Sequence, residues 1–137
     1  MPSRNAQISV LIVGDMITLA LVTVFGFATH GTLSTAGERL FITFVPLLIA
    51  WGAVAPFLGA YDPGRALDAR QLWRPFWAMI LAAPLASWLR GVWLNAPIMP
   101  IFVLVLGGFS ALAILAWRAV YALIFSRRLA TPKVTNG

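Results

Sequence analysis

Cysteine is absent from the 137 residues, and histidine occurs once. The first absence removes disulfides, thiolate nucleophiles, cysteine zinc sites and iron–sulfur clusters held by this chain alone. The second removes a bis-histidine haem within one chain and the paired histidines of intramembrane zinc proteases. Charge is scarce as well: 10% of residues are charged, whereas a soluble domain carries about 25%. Lysine is a single residue, so no glycine-rich loop ends in the lysine that phosphate binding needs. No serine shares a membrane depth with the histidine, which excludes serine–histidine chemistry. A chain missing this much of the catalytic inventory is expected not to be an enzyme.

Apolar residues make up 61% of the chain, which leaves too few polar groups to coat a water-facing surface. Lipid is the solvent such a composition fits. A bilayer core of about 30 Å takes roughly 20 apolar residues of helix. Four runs meet that length: residues 8–29, 40–61, 72–93 and 98–125. The fold class expected is therefore all-α, a polytopic bundle of four transmembrane helices running up and down. Residues 1–137 form one transmembrane domain, with a short basic tail over 126–137. Arg4 followed by an apolar stretch looks like a secretory signal, but Asp15 interrupts it and no small-residue cleavage pattern follows. The first run is expected to be retained.

Nine of the ten basic residues are arginine, and the formal net charge is +6. They lie at the ends of apolar runs rather than on one stripe with aromatic platforms, so nucleic acid is not the partner. With four spans, Arg4, Arg65, Arg70, Arg74, Arg127, Arg128 and Lys133 share one side, and Arg118 leans towards it. Arg39 and Arg90 hold the other. Eight against two predicts both termini in the cytoplasm. Arg65, Arg70, Arg74, Arg127 and Arg128 are then placed to touch anionic headgroups. Trp73 and Trp77 fall at the inner interface and Trp88 and Trp93 at the outer, while Trp51 lies mid-helix and fits no belt. Pro46, Pro56 and Pro84 interrupt the spans. Small residues four apart, as in Ala82/Ala86, Ala83/Ser87 and Gly107/Ala111, permit close helix approach.

Asp15 demands compensation, because an aspartate near the centre of a spanning helix costs about 2.5–3.5 kcal/mol on insertion scales. It stands about seven residues from the inner end of its span, and Arg118 stands about seven from the inner end of the fourth. Equal depth predicts a structural ion pair between the two. A proton- or cation-coupled site on Asp15, snorkelling of its side chain to the interface, and a local hydrogen bond to Thr18 are the alternatives. At 100° per residue, Asp15, Thr18, Val22, Gly26, Thr29 and His30 share one face of the first helix. That face is read either as the side turned to the bundle interior or as a wall of an apolar ligand pocket. In the second case Thr18, Gly26, His30 and Trp51 would contact a ligand or pigment. His30 reads as a cap at the outer mouth, or as an axial ligand to a porphyrin or chlorin. The loop Tyr61-Asp62-Pro63-Gly64-Arg65 through Arg70 is a turn signal. Its two carboxylates alone make a poor divalent site, so no metal is expected.

Several short segments together carry a resemblance. They are Gly14-Asp15, the ending Thr29-His30-Gly31, Val45-Pro46-Leu47-Leu48 with Trp51, Trp88-Leu89-Arg90, and Trp117-Arg118. From about Val10 to Phe125 the pattern resembles a family of small four-helix prokaryotic membrane proteins known only as a domain of unknown function. The resemblance implies four spans in the prokaryotic cytoplasmic membrane and singles out Asp15 and His30. It implies no activity or cofactor. Family members usually carry arginines before the histidine, where this chain has Phe25-Gly26-Phe27-Ala28.

These readings converge on a non-enzymatic accessory or structural subunit of a larger membrane complex, such as a photosynthetic or respiratory one. It requires no cofactor, although its aromatic and small-residue seams would accept lipid, carotenoid, chlorophyll or quinone. The rival class is a small homodimeric proton-coupled transporter using Asp15, similar to the small multidrug exporters in size and span count. It departs from them in having Arg118 at hand to neutralise the acid.

Overall fold

The computed structural model describes residues 2–130. Helix α1 spans Arg4–Thr29 and opens on Ser3, whose hydroxyl oxygen accepts the Ala6 N–H at 3.2 Å. That capping bond lets the helix begin four residues before the apolar run itself does. Helix α2 spans Gly37–Val54 and continues as a tighter 3₁₀ turn, Ala55–Leu58. A one-turn helix α3, Pro63–Ala66, and a 3₁₀ turn, Ala69–Gln71, form the connection to α4, Trp73–Leu94. Helix α5, Pro100–Ala130, is the longest. No strand occurs among the described residues, and four helical stretches are long and apolar enough to cross a membrane.

Boundaries differ from the hydropathy runs where local chemistry intervenes. The second span stops at Leu58 rather than Tyr61, because Gly59 takes the left-handed conformation (φ 70°) and its N–H bonds back to Pro56 O at 3.0 Å. Tyr61 therefore lies in the connection. The fourth helix passes straight through Arg127 and Arg128 instead of ending before them, since basic residues suit the C-terminal end of a helix dipole. Of the expected basic tail, residues 131–137 with Lys133 lie outside the described residues. Helix α4 ends on Asn95, also left-handed (φ 47°), with the Ala96 N–H reaching Gly91 O at 3.0 Å.

Short connections make successive spans antiparallel. Helix α1 packs on α2 and α5, and α4 packs on the same two from the other side. Alanine dominates the interior: Ala50, Ala78, Ala82, Ala86 and Ala111 surround Leu19, Leu47, Trp51, Met79 and Ile114. In lipid the apolar effect does not drive helices together, so small residues that let backbones approach carry the packing. Gly107 shows this at the α4–α5 seam. A Cβ there would stand 2.8 Å from the Ala83 Cβ across the α4–α5 seam. Among the buried positions of α5, Gly107, Ala111, Ile114, Arg118 and Tyr121 alternate in steps of four and three, with Ser110 and Ala122 flanking that row. That spacing is the seam of a left-handed helix pair.

Candidate functional site

Helix α1 turns only a narrow stripe inward: Leu11, Asp15, Leu19 and Thr23, spaced by four. Asp15 is 0% exposed and Arg118 of α5 is 2% exposed. The guanidinium meets the carboxylate with two parallel bonds. Nε donates to Oδ1 at 3.0 Å and Nη2 to Oδ2 at 2.7 Å. The third guanidinium nitrogen, Nη1, donates to the Ala60 carbonyl at 2.6 Å. A forked, planar pair of this kind satisfies both charges at once, and a low-dielectric surrounding strengthens each bond.

Two further donors complete the acid. Tyr61 donates its hydroxyl to Asp15 Oδ2 at 2.7 Å. The Trp51 indole N–H is shared between that oxygen, at 3.1 Å, and the Tyr61 hydroxyl, at 2.7 Å. Asp15 thus receives four hydrogen bonds from three elements. The left-handed turn at Gly59 makes this arrangement possible. It reverses the chain at the end of the second span, so that the Ala60 carbonyl faces Arg118 and the Tyr61 ring lies against the same guanidinium, 5.2 Å from its centroid. Burial pushes the Tyr61 phenol well above its ordinary range, and the adjacent Asp15 charge and hydrogen bond push it the same way. Arg118 and the Trp51 bond act in opposition.

The structure brings together Asp15, Arg118 and Trp51 from the residues the sequence singles out, and adds Tyr61 and the Ala60 carbonyl. Trp51 is buried in this cluster and fits no interfacial belt because its N–H has an internal acceptor. Tyr61 escapes sequence reasoning because it is counted as the last residue of an apolar run. A phenol directly after Gly59-Ala60 was the available signal.

Thr18, Gly26 and His30 do not join this cluster. The face they were assigned is rotated partly out of the bundle: Thr18, Val22 and Gly26 are half-buried, and Thr29 and His30 are exposed. The physical reason is that a helical threonine satisfies itself locally, so its hydroxyl does not decide which face turns inward; Thr23 makes the same bond, to Leu19 O at 2.8 Å, from the buried stripe. Thr18 Oγ1 donates to Gly14 O at 2.7 Å, and Thr29 Oγ1 to Gly26 O at 2.9 Å, so neither needs the interior. His30 closes α1, its backbone N–H bonding Gly26 O at 3.4 Å. Gly14 has a different task. A side chain there would collide with the Trp117 indole, so the glycine lets α5 lie close against α1.

At the loop end of the bundle, Arg65 and Arg70 are exposed. Arg74 is half-buried and engaged, its Nε donating to Gln71 Oε1 at 2.6 Å and its Nη1 to Leu58 O at 2.9 Å. Arg128 lies over the Phe125 ring, 5.6 Å from its centroid, and Arg127 sits beside it in the last turn of α5. Asp62 and Asp68 act as caps: Asp62 Oδ1 accepts the Gly64 N–H at 2.9 Å, and Asp68 Oδ1 the Arg70 N–H at 2.9 Å. Among the described residues, no group of three or more His, Cys, Asp or Glu side chains gathers where it would hold a metal ion.

No curated protein and no solved structure matches the chain. One family model does, over residues 12–121, a range that contains every segment carrying the resemblance and both partners of the buried ion pair. With that share of its length matched, the chain belongs to the family described as "Protein of unknown function (DUF3054)".

Proposed function

We propose that this chain is a non-enzymatic integral membrane protein serving as an accessory or structural subunit of a larger membrane complex. The observation that carries the reading is the closure of Asp15. This buried acid of the first span is held by a two-pronged arginine, a phenol and an indole, and Arg118 is itself tied to the Ala60 carbonyl. A carboxylate so held sets which helices are neighbours and where the second connection sits. A carrier's acid must instead gain and lose a proton during each cycle, and here that requires breaking four bonds. The reading places the protein in a prokaryotic cytoplasmic membrane with both termini cytoplasmic, supported by the eight-to-two distribution of basic residues. Its outer surface carries Val13, Ile17, Leu21 and Phe25 on α1 and Leu104, Phe109 and Leu112 on α5. These faces suit lipid, neighbouring helices or a flat apolar cofactor.

Gentle solubilisation from native membranes through a terminal tag tests the reading, with co-purifying chains and the visible spectrum recorded together. Stoichiometric partners are expected, and Asp15→Asn is expected to reduce their recovery without a transport phenotype. A colourless particle of this chain alone would overturn it, if Asp15→Asn then abolished proton-coupled substrate movement while the fold survived. That result would establish the small homodimeric transporter instead.

A further inference from the structure

The second connection carries Arg65, Arg70 and Arg74 against Asp62 and Asp68, a surplus of positive charge. A side chain on Gly59 would run into Arg65 Nη1 and come within 3.6 Å of Arg74 Nη1, so two guanidinium groups converge on one bare glycine. Arg118 forms the inner wall of the same crevice, with Gln71 at its rim. Neither nearby carboxylate pairs directly with the two outer arginines. Asp62 and Asp68 are engaged as backbone caps, and among the described residues Arg65 and Arg74 form no ion pair. Asp15 is occupied by Arg118. Like charges brought together in this way repel one another unless an anion lies between them.

The surroundings say what kind of anion fits. The crevice has a volume of about 10 Å³, the size of one water, so the anion docks at its mouth and not inside. The half-exposed Trp73 lies under the Arg74 guanidinium, 4.5 Å from its ring centroid, and Phe57, 92% exposed, stands two residues before Gly59 in the chain. Exposed aromatics at the end of apolar helices mark the level of the membrane interface, where lipid phosphates lie. Arginine forks match phosphate oxygens in geometry as well as charge.

We infer that Arg65 and Arg74, converging over Gly59, form a phosphate-binding site at the membrane interface, filled by the headgroup phosphate of an anionic phospholipid. The site is independent of the subunit role proposed above. It needs only the membrane setting of the four apolar helices.

Binding is measured on the full chain by native mass spectrometry and by retention of phosphatidylglycerol from mixed vesicles with phosphatidylcholine. Arg65→Gln is the principal variant, because Arg65 is exposed and makes no bond that holds the fold. Arg4→Gln removes the same charge elsewhere. Arg65→Gln is expected to weaken phosphatidylglycerol binding about fivefold, the effect of one basic residue near an anionic surface. Arg4→Gln should weaken it less, and Arg65→Lys should restore part of the loss. Inorganic phosphate distinguishes the source. If it fails to displace the lipid, the headgroup reading stands; if it displaces the lipid in the wild type but not in Arg65→Gln, the site is one for free phosphate and the lipid assignment is overturned. Equal lipid binding by Arg65→Gln and Arg4→Gln would overturn the site itself.

Discussion

Helices α1 and α4 occupy opposite corners of the same bundle and are held by opposite means. Helix α4 presents Ala78, Ala82, Ala83 and Ala86 to its neighbours, and close backbone approach secures it. Helix α1 presents Leu11, Asp15, Leu19 and Thr23, a stripe one residue wide, with most of its remaining surface facing outward. Where the first helix lacks area, it has an ion pair. The contrast teaches that a span with few small residues can still be fixed in a bundle when one buried charge has one designated partner. Dispersion supports any neighbour of suitable shape, whereas a buried carboxylate supports only the helix that brings the cation.

The most severe way to break that contrast is to remove the cation. Arg118→Met leaves Asp15 buried and uncompensated, and is expected to cost about 3–5 kcal/mol, measured by reversible unfolding in mixed micelles. Adding Asp15→Leu should recover much of the loss, because an apolar pair leaves no buried charge. If the double variant is no better than Arg118→Met, the pair is not what fixes α1. Next comes Tyr61→Phe, which deletes a hydrogen bond to a charged acceptor and should cost about 1.5–3 kcal/mol by the same measurement.

Overpacking sharpens the comparison from the other side. Gly107→Leu at the α4–α5 seam and Gly14→Leu at the α1–α5 seam should each cost about 1–3 kcal/mol. They differ in that Gly107 faces the Ala83 methyl, whereas Gly14 faces the larger Trp117 ring. Trp117→Ala should therefore rescue Gly14→Leu, and no comparable truncation of Ala83 is open to Gly107→Leu beyond glycine.

Alkaline pH probes the ion-pair corner through Tyr61. The phenol of Tyr61 is raised in the folded state, so the stability it contributes is complete below the ordinary tyrosine value near 10 and falls as pH rises above it. The chain has two tyrosines, Tyr61 and the buried Tyr121, so ultraviolet titration is read as a difference: Tyr61→Phe should lose one phenol that resists ionisation until the bundle opens, and leave the other. The smallest effect expected is that of His30→Ala. An exposed helix-end residue whose bond is made by its backbone should change stability by no more than about 0.5 kcal/mol.

Much of this was legible before any coordinates. Four spans follow from run length, because hydrocarbon tolerates only helices whose backbone bonds are internal. Counting residues from the inner ends sets Asp15 and Arg118 level with each other, and the structure has them 2.7 Å apart. Other features were hidden for identifiable reasons. Thr18 and Thr29 look like an inward polar face only if their hydroxyls need partners elsewhere, yet both bond to their own helix. Tyr61 looks like the end of a span because hydropathy does not register the left-handed turn at Gly59.

The sequence by itself determined that the chain is helical, that it suits lipid, which residues are charged at what depth, and that charge is unequal between its ends. Those properties are sums over local composition and spacing, and each needs nothing beyond its own segment. Only the tertiary structure decided that Trp51 and Tyr61 complete the Asp15–Arg118 pair, that Gly14 and Gly107 are points of closest approach, and that Arg65 and Arg74 converge on Gly59. Each of these depends on how one helix is rotated and staggered against another. That rotation is set by side chains from distant parts of the chain meeting in three dimensions.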